Sequence, residues 1–188
     1  MWARSILGLS EAAAEKALRT VDAEPPDILF LPYLVGERFP FMDAEVRGAF
    51  LGLGAGHGPA AIYYSVLEGV GLAIRANLGA VDPSGSARIR LAGGGARSAV
   101  WPKMLADIVA RRLSLADSTP IATSHGAFLL AAETFGLPVS EAGAMRDIEP
   151  RDERRARTER LAAAFARATD FARSVKLQPA AAGSAGHD

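Results

Sequence analysis

Ile89-Arg90-Leu91-Ala92-Gly93-Gly94-Gly95-Ala96-Arg97-Ser98 organises the reading of this chain. A short apolar-rich strand runs into three glycines, then into a serine able to cap the helix that follows. Glycine reaches positive φ and carries no Cβ, so a backbone of this kind can approach a flat or anionic ligand closely. A helix start beyond it adds unpaired N–H groups and partial positive charge. The same glycines also serve as a plain strand-to-helix turn, and the residues by themselves leave both readings open.

Downstream, Ser98 to about Ala110 reads as a helix with Pro102 early enough to be tolerated, and Leu113 to Ala116 as a short strand. Strand, helix, strand predicts a right-handed parallel crossover. The glycine turn then lies at the carboxyl end of the first parallel strand, where open α/β sheets bind ligands. Thr123 or Ser124 begins a further helix through Phe135, with Gly126, Ala127, Ala131 and Ala132 permitting close packing and Gly136-Leu137-Pro138 stopping it. A charged helix follows from Asp152 to about Val175, with Leu161, Phe165, Ala168 and Phe171 facing inward and the arginines on a solvated face.

Upstream, Met1 to Leu7 reads as the last turns of a helix stopped by Gly8, and Ser10 caps a second helix from Glu11 to Val21. Trp2 is expected on the core, and its position suggests a chain cut within a larger domain. Asp27 to Leu34 is a buried extended segment, Gly36 to Asp43 a loop, and Gly48 to Leu53 extended again. After the connector Gly54 to Pro59, a long helix runs from Ala60 to Val81. Ile62, Val66, Leu67, Val70, Ala73, Ile74 and Leu78 trace its apolar face.

Composition excludes several classes. The chain has 188 residues, 49% of them hydrophobic, so a globular domain is the expectation. Lysine plus arginine equals aspartate plus glutamate at 21 each, which argues against a nucleic-acid or membrane-surface partner. Cysteine is absent, excluding disulfides and thiolate chemistry and agreeing with a cytoplasmic location. No segment is long and apolar enough to span a bilayer. His57 and His125 lack partners at metal-ligand spacing and His187 lies in the tail, so no metal site is assigned. No Gly-x-Ser-x-Gly elbow appears, and Ser98 breaks the Gly-x-Gly-x-x-Gly spacing of a dinucleotide fold. Glu37, Arg38 and Asp43 read as a surface loop fixed by its own ion pairs, with a cleft-facing role as the alternative; Glu68 reads as structural.

Several ordered stretches sharpen the picture: Leu31-Pro32-Tyr33-Leu34-Val35-Gly36-Glu37-Arg38-Phe39-Pro40, Arg47-Gly48-Ala49-Phe50-Leu51-Gly52-Leu53, and Ser65-Val66-Leu67-Glu68-Gly69-Val70. With the glycine turn, Trp101, Ala106-Asp107, Gly126-Ala127 and Leu129-Leu130-Ala131-Ala132, they resemble the carboxyl-terminal part of the FGGY carbohydrate kinases, nearest the xylulokinase branch. The resemblance implies an α/β fold: a partial actin-like (ribonuclease H-like) kinase domain over residues 1–176, helix-rich with a short parallel sheet; the last residues, 177–188, read by their own composition as a disordered tail. The resemblance also implies a parent enzyme that transfers the γ-phosphoryl group of ATP, with magnesium, to a sugar hydroxyl, a pentulose such as xylulose. Gly93, Gly94, Gly95 and Ala96 would let adenosine and the α-phosphate of ATP or ADP lie against the backbone, with Ser98 near the base or ribose.

The departures matter as much. In the family the catalytic aspartate, both phosphate loops and the sugar pocket lie upstream of the tryptophan that Trp2 resembles, and none has a counterpart here. No catalytic residue is therefore assigned, and the isolated chain is expected to bind adenine nucleotide weakly without turnover. Ala61 and Ser124-His125 depart from the family pattern locally. Magnesium belongs to the complete enzyme. The implied partner is the amino-terminal kinase portion, in cis or in trans. Strands are clear only near Arg88 to Ala92 and Leu113 to Ala116, so a central strand is expected with an unpaired edge. Self-association, rearranged segments or a partner chain would hide it. The rival class is a non-catalytic binding or assembly module derived from a kinase domain.

Overall fold

The computed structural model describes residues 2–116, 122–137 and 145–175. Pro138, His187, the side chain of His125 and the expected tail over 177–188 lie outside the described residues. The first elements follow the sequence closely. Helix α1 (Trp2–Ile6) ends before Gly8, whose φ of 63° suits glycine. Helix α2 (Glu11–Val21) starts on Ser10, whose hydroxyl accepts from the Ala13 amide at 3.2 Å. Strands β1 (Leu29–Leu31) and β2 (Ala49–Leu51) pair antiparallel with Phe30 opposite Phe50. Helix α3 (Pro59–Val81) begins with proline in its first turn.

Strand β3 (Ile89–Leu91) leads through a 3-10 turn at Gly94–Arg97 into α4 (Trp101–Val109), and β4 (Leu113–Ala116) pairs parallel to β3. Helix α4 starts three residues later than expected, at Trp101. Ser98 still serves its start, because its hydroxyl accepts from the Val100 amide at 3.2 Å and the Trp101 amide at 3.0 Å. Helix α5 (Ala122–Thr134) follows. A strand that periodicity did not show, β5 (Met145–Ile148), then pairs antiparallel with β4. The sheet is therefore mixed, in the order β3-β4-β5: β4 is paired on both sides, once by this chain's own later residues, and β3 has one strand neighbour among the described residues. A 3-10 turn (Asp152–Arg154) opens into α6 (Arg155–Ser174).

The main core joins α2, β1, α3, α4 and α6 through Leu18, Leu29, Tyr64, Leu72, Met104 and Phe165. Two glycines of α3 set how close its neighbours come. A Cβ on Gly69 would lie 2.2 Å from the Phe30 carbonyl oxygen, and one on Gly71 would lie 2.5 Å from Ile108 Cδ1. Helix α3 thus buries Tyr64, Ser65, Glu68, Gly69, Gly71 and Leu72, not only the expected stripe, most of which is half-buried. A second cluster packs Leu105, Ala106 and Val109 of α4 on Leu113, with Ile89, Leu91 and Ile148 alongside. Trp2 stacks on Phe30 at 6.0 Å between ring centroids yet remains 40% exposed. Phe171, expected inward, is 67% exposed, whereas Phe165 and Ala168 are buried. Among the described residues no helix is long and apolar enough to cross a membrane.

Arg155, Arg160, Arg167 and Arg173 are exposed as expected, but Arg151, Arg154 and Arg157 are not on that solvated face. The Arg151 guanidinium donates from Nε and Nη2 to Asp107 Oδ2 at 2.8 and 2.6 Å, and from Nη1 to Asp22 Oδ2 at 2.7 Å. The Arg151 amide adds a 2.7 Å bond to Asp107 Oδ1. Arg157 forks onto Glu68, with Nη2 to Oε2 at 3.1 Å, and reaches the Pro26 carbonyl at 2.8 Å. Arg154 donates to the Asp22 carbonyl. Asp107 is 6% and Glu68 4% exposed, so these charges are held by geometry rather than solvent. Burial pushes the Glu68 carboxyl above the ordinary glutamate range, and the Arg157 hydrogen bonds and charge oppose it. For Asp22, burial pulls upward too, but the Arg151 hydrogen bonds and charge win and hold it below 3.8.

Two outcomes follow from this packing. Arg157→Ala strands the Glu68 carboxylate and should cost about 3–5 kcal/mol in urea unfolding. A loss below ~1 kcal/mol, the size of an exposed pair, contradicts the clamp. Because Asp22 titrates lower in the fold than in the unfolded chain, its contribution is full above pH 3.8 and is lost as pH falls through the folded value. Asp22→Asn should therefore flatten the acid limb of stability against pH; an unchanged limb contradicts the assignment.

Candidate nucleotide site

The glycine turn sits at the carboxyl end of β3 with its backbone laid open. Gly93 holds φ 93° and ψ −173°, a conformation that L side chains rarely adopt. The turn closes through the Ala96 amide on the Gly93 carbonyl and the Ser98 amide on the Gly95 carbonyl, each at 3.1 Å. Gly93, Gly94 and Gly95 are all exposed. A Cβ on Gly93 would meet nothing within 4 Å, and one on Gly94 only the tip of Arg97 at 3.9 Å. At Gly95 it would meet Trp101 Cδ1 and Nε1 at 3.1 Å, so the indole braces the turn from one side.

The five residues singled out by sequence divide into two groups. Gly93, Gly94 and Gly95 present bare backbone, while Ala96 is buried in the protein. The Ser98 hydroxyl donates to Glu15 Oε2 at 2.8 Å while accepting from the start of α4. Glu15 Oε1 also accepts from the Ala99 amide at 2.9 Å. One carboxylate on α2 therefore holds the segment between the glycine turn and α4. Sequence reasoning missed Glu15: it lies 83 residues from Ser98, on an ordinary amphipathic helix, and no local pattern marks it.

The charged loop is held by carboxylate-to-amide hydrogen bonds. Glu37 Oε1 accepts from Arg38 N at 2.7 Å and Phe39 N at 3.3 Å; Asp43 Oδ1 accepts from Glu45 N at 2.9 Å and Val46 N at 3.0 Å. His57 Nδ1 accepts from Gly54 N at 3.0 Å. Among the described residues no group of three or more His, Cys, Asp or Glu side chains could hold a metal ion. A cavity of about 530 Å³ on the other face of the β3-β4-β5 sheet is lined by Arg88, Arg90, Arg111, Arg112, Ser114 and Asp147. Asp82 pairs with Arg111 at 3.0 Å, and Asp147 and Glu149 both reach Arg112, so four arginines face three carboxylates and the cavity keeps positive charge.

The described residues form a helix-rich α/β domain in which a strand runs through bare glycines into a helix. The comparisons place it further. Residues 2–134 match the FGGY family of carbohydrate kinases, C-terminal domain, and the chain belongs to that family. It is 38% identical over 133 residues to the xylulose kinase of Escherichia coli (strain K12), covering 69% of this chain and 28% of that protein. Among solved structures, a xyloylose kinase from Brucella ovis superimposes with a TM-score of 0.75 at 31% identity, covering 92% of this chain and 37% of that one. A xylulose kinase from Rhodospirillum rubrum gives 0.70 at 27% identity, covering 90% and 36%. The chain thus spans little more than a quarter of the length of its E. coli relative. The actin-like architecture and the xylulokinase-like affiliation expected from sequence both stand.

Glu15→Ala removes both bonds that hold Ser98 and Ala99. Hydrogen exchange at the Ala99 amide should accelerate, with a global loss of about 1 kcal/mol, the scale of one net hydrogen bond. Unchanged protection at Ala99 contradicts the anchor.

Proposed function

We propose that this chain forms the adenine-nucleotide side of an ATP-dependent, cytoplasmic sugar kinase whose acceptor is a pentulose such as xylulose, and that alone it binds nucleotide weakly and does not transfer phosphate. The observation that carries the reading is the exposed, side-chain-free backbone of Gly93, Gly94 and Gly95 at the end of β3, in a chain of this family. A planar base or an α-phosphate needs close approach to peptide groups, and a Cβ at Gly93 or Gly94, which would point into open space, would stand in the way. ATP supplies the transferable phosphoryl group. The chain's own residues shape the platform: Gly93 turns the backbone, Trp101 braces it, and Glu15 with Ser98 fixes its exit.

Turnover needs more than a platform. Phosphoryl transfer rests on positioning, charge neutralisation and a group that takes the acceptor's proton. Glu15 is the carboxylate bonded beside the turn, and both its oxygens are already occupied by Ser98 and Ala99. Incubating the purified chain with ATP, magnesium and xylulose should therefore give no sugar phosphate, and measurable turnover contradicts the reading.

Calorimetric titration with ADP should give weak binding, in the upper micromolar range or above, about −5 kcal/mol. A submicromolar dissociation constant contradicts the weak platform, and no binding at millimolar ADP contradicts the site. Gly94→Ala adds a methyl group to open space, so the urea midpoint should stay the same while ADP binding is lost. Retained affinity in that variant would place the nucleotide elsewhere.

A further inference from the structure

Side chains alternate along a strand, so the two faces of the β3-β4-β5 sheet differ in character. Ile89, Leu91 and Leu113 pack with α4, while Arg88, Arg90, Arg112 and Ser114 line the cavity of about 530 Å³ on the other face. Arg90 stands opposite Ser114, and Ser114 opposite Asp147, so one row across the three strands reads cation, hydroxyl, carboxylate. Bonds within the chain fix the walls. Ser114, 5% exposed, donates to Asp147 Oδ1 at 2.7 Å. Arg111 pairs with Asp82 and donates to the Ala87 carbonyl, and Asp82 Oδ2 accepts from the Ala87 amide at 3.0 Å, which closes the turn at the rim. Arg112 is engaged by Asp147 and Glu149. Arg88 and Arg90 are exposed and have no hydrogen-bond or ion-pair partner among the described residues. Two uncommitted guanidinium groups therefore face a cavity whose other charged groups are already paired.

We propose that this cavity binds a phosphorylated sugar, with Arg88 and Arg90 on the phosphate and Asp147 with Ser114 on the sugar hydroxyls. Guanidinium groups meet phosphate oxygens through parallel N–H···O bonds. The Asp147 carboxylate has lone pairs beyond those that Ser114 and Arg112 use, so it can accept from a ligand hydroxyl. A bare inorganic anion would meet the arginines but be repelled by that carboxylate, whereas a sugar brings donors to it. Among the described residues no aromatic side chain lines the cavity, so a nucleobase would find no ring to stack on. None of Gly93, Gly94, Gly95 and Ala96 lines it either, so the site is separate from the glycine turn. The proposal does not rest on nucleotide binding, which the ADP titration tests on its own.

The test titrates the full chain with ribose 5-phosphate, a probe that the proposed kinase reaction neither consumes nor forms, and separately with ribose and with inorganic phosphate. Amide-resolved NMR shifts give the site and the affinity. Ribose 5-phosphate should bind with a dissociation constant of about 1 mM or below, inorganic phosphate about tenfold more weakly or worse, and ribose not at all at about 10 mM. The shifts should centre on Arg88, Arg90, Ser114 and Asp147. Arg90→Gln removes an exposed, unpaired cation, so it should keep the parent's melting temperature and weaken ribose 5-phosphate about tenfold. Asp147→Asn should narrow the preference for ribose 5-phosphate over inorganic phosphate, because the charge that repels the bare anion is gone. Four results overturn the proposal: no binding of ribose 5-phosphate, inorganic phosphate binding as tightly, shifts centred on Gly93 to Ala96, or an affinity that Arg90→Gln leaves unchanged.

Discussion

The arginine–carboxylate clamp at the start of α6 is the constraint on which the rest depends. Arg151 ties the end of α2 to α4 through Asp22 and Asp107, and Arg157 ties α6 to α3 through Glu68. These contacts join residues as far as 129 positions apart. Burying such charges stabilises little by itself, but breaking one partner leaves an uncompensated ion in the interior. The clamp therefore acts as a specification: α2, α3 and α4 can take few other positions without stranding a charge. That matters for the site, because α2 carries Glu15 and α4 carries Trp101, the two side chains that hold and brace the glycine turn.

Placement of the turn follows from that frame. Strand β3 delivers the glycines, and the bonds of Glu15 to Ser98 and Ala99 keep the path into α4 in one geometry. The result is a rigid surround for a patch of bare backbone. Preorganisation of this kind lets a few peptide groups meet a ligand without reordering cost. The same surround uses both oxygens of the nearby Glu15 carboxylate.

Local features were legible in the sequence, and long-range ones were not. Ser10, Gly8 and Pro59 announced helix ends because capping, positive φ and a missing amide are properties of single residues. The crossover from β3 to β4 showed as strand, helix, strand. Strand β5 did not, since Met145-Arg146-Asp147-Ile148 lacks alternation and owes its pairing to Ser114 and Asp147 across the ladder at 2.7 Å. Arg155, Arg160, Arg167 and Arg173 are solvated as they read, but Arg154 and Arg157 read the same way because their partners lie on other elements. The apolar stripe of α3 was found, but the side this chain buries was carried by Tyr64, Glu68 and two glycines, residue types that hydrophobicity does not flag. Within the site, the three glycines were visible and their anchor Glu15 was not.

The most direct test is an amide-resolved NMR titration of the chain with ADP. If the glycine turn is the platform, shifts concentrate at Gly93, Gly94, Gly95 and Ala96 and fade along α4. Shifts confined to the arginine-lined face around Arg90 and Arg112, or none at saturating ADP, would contradict it.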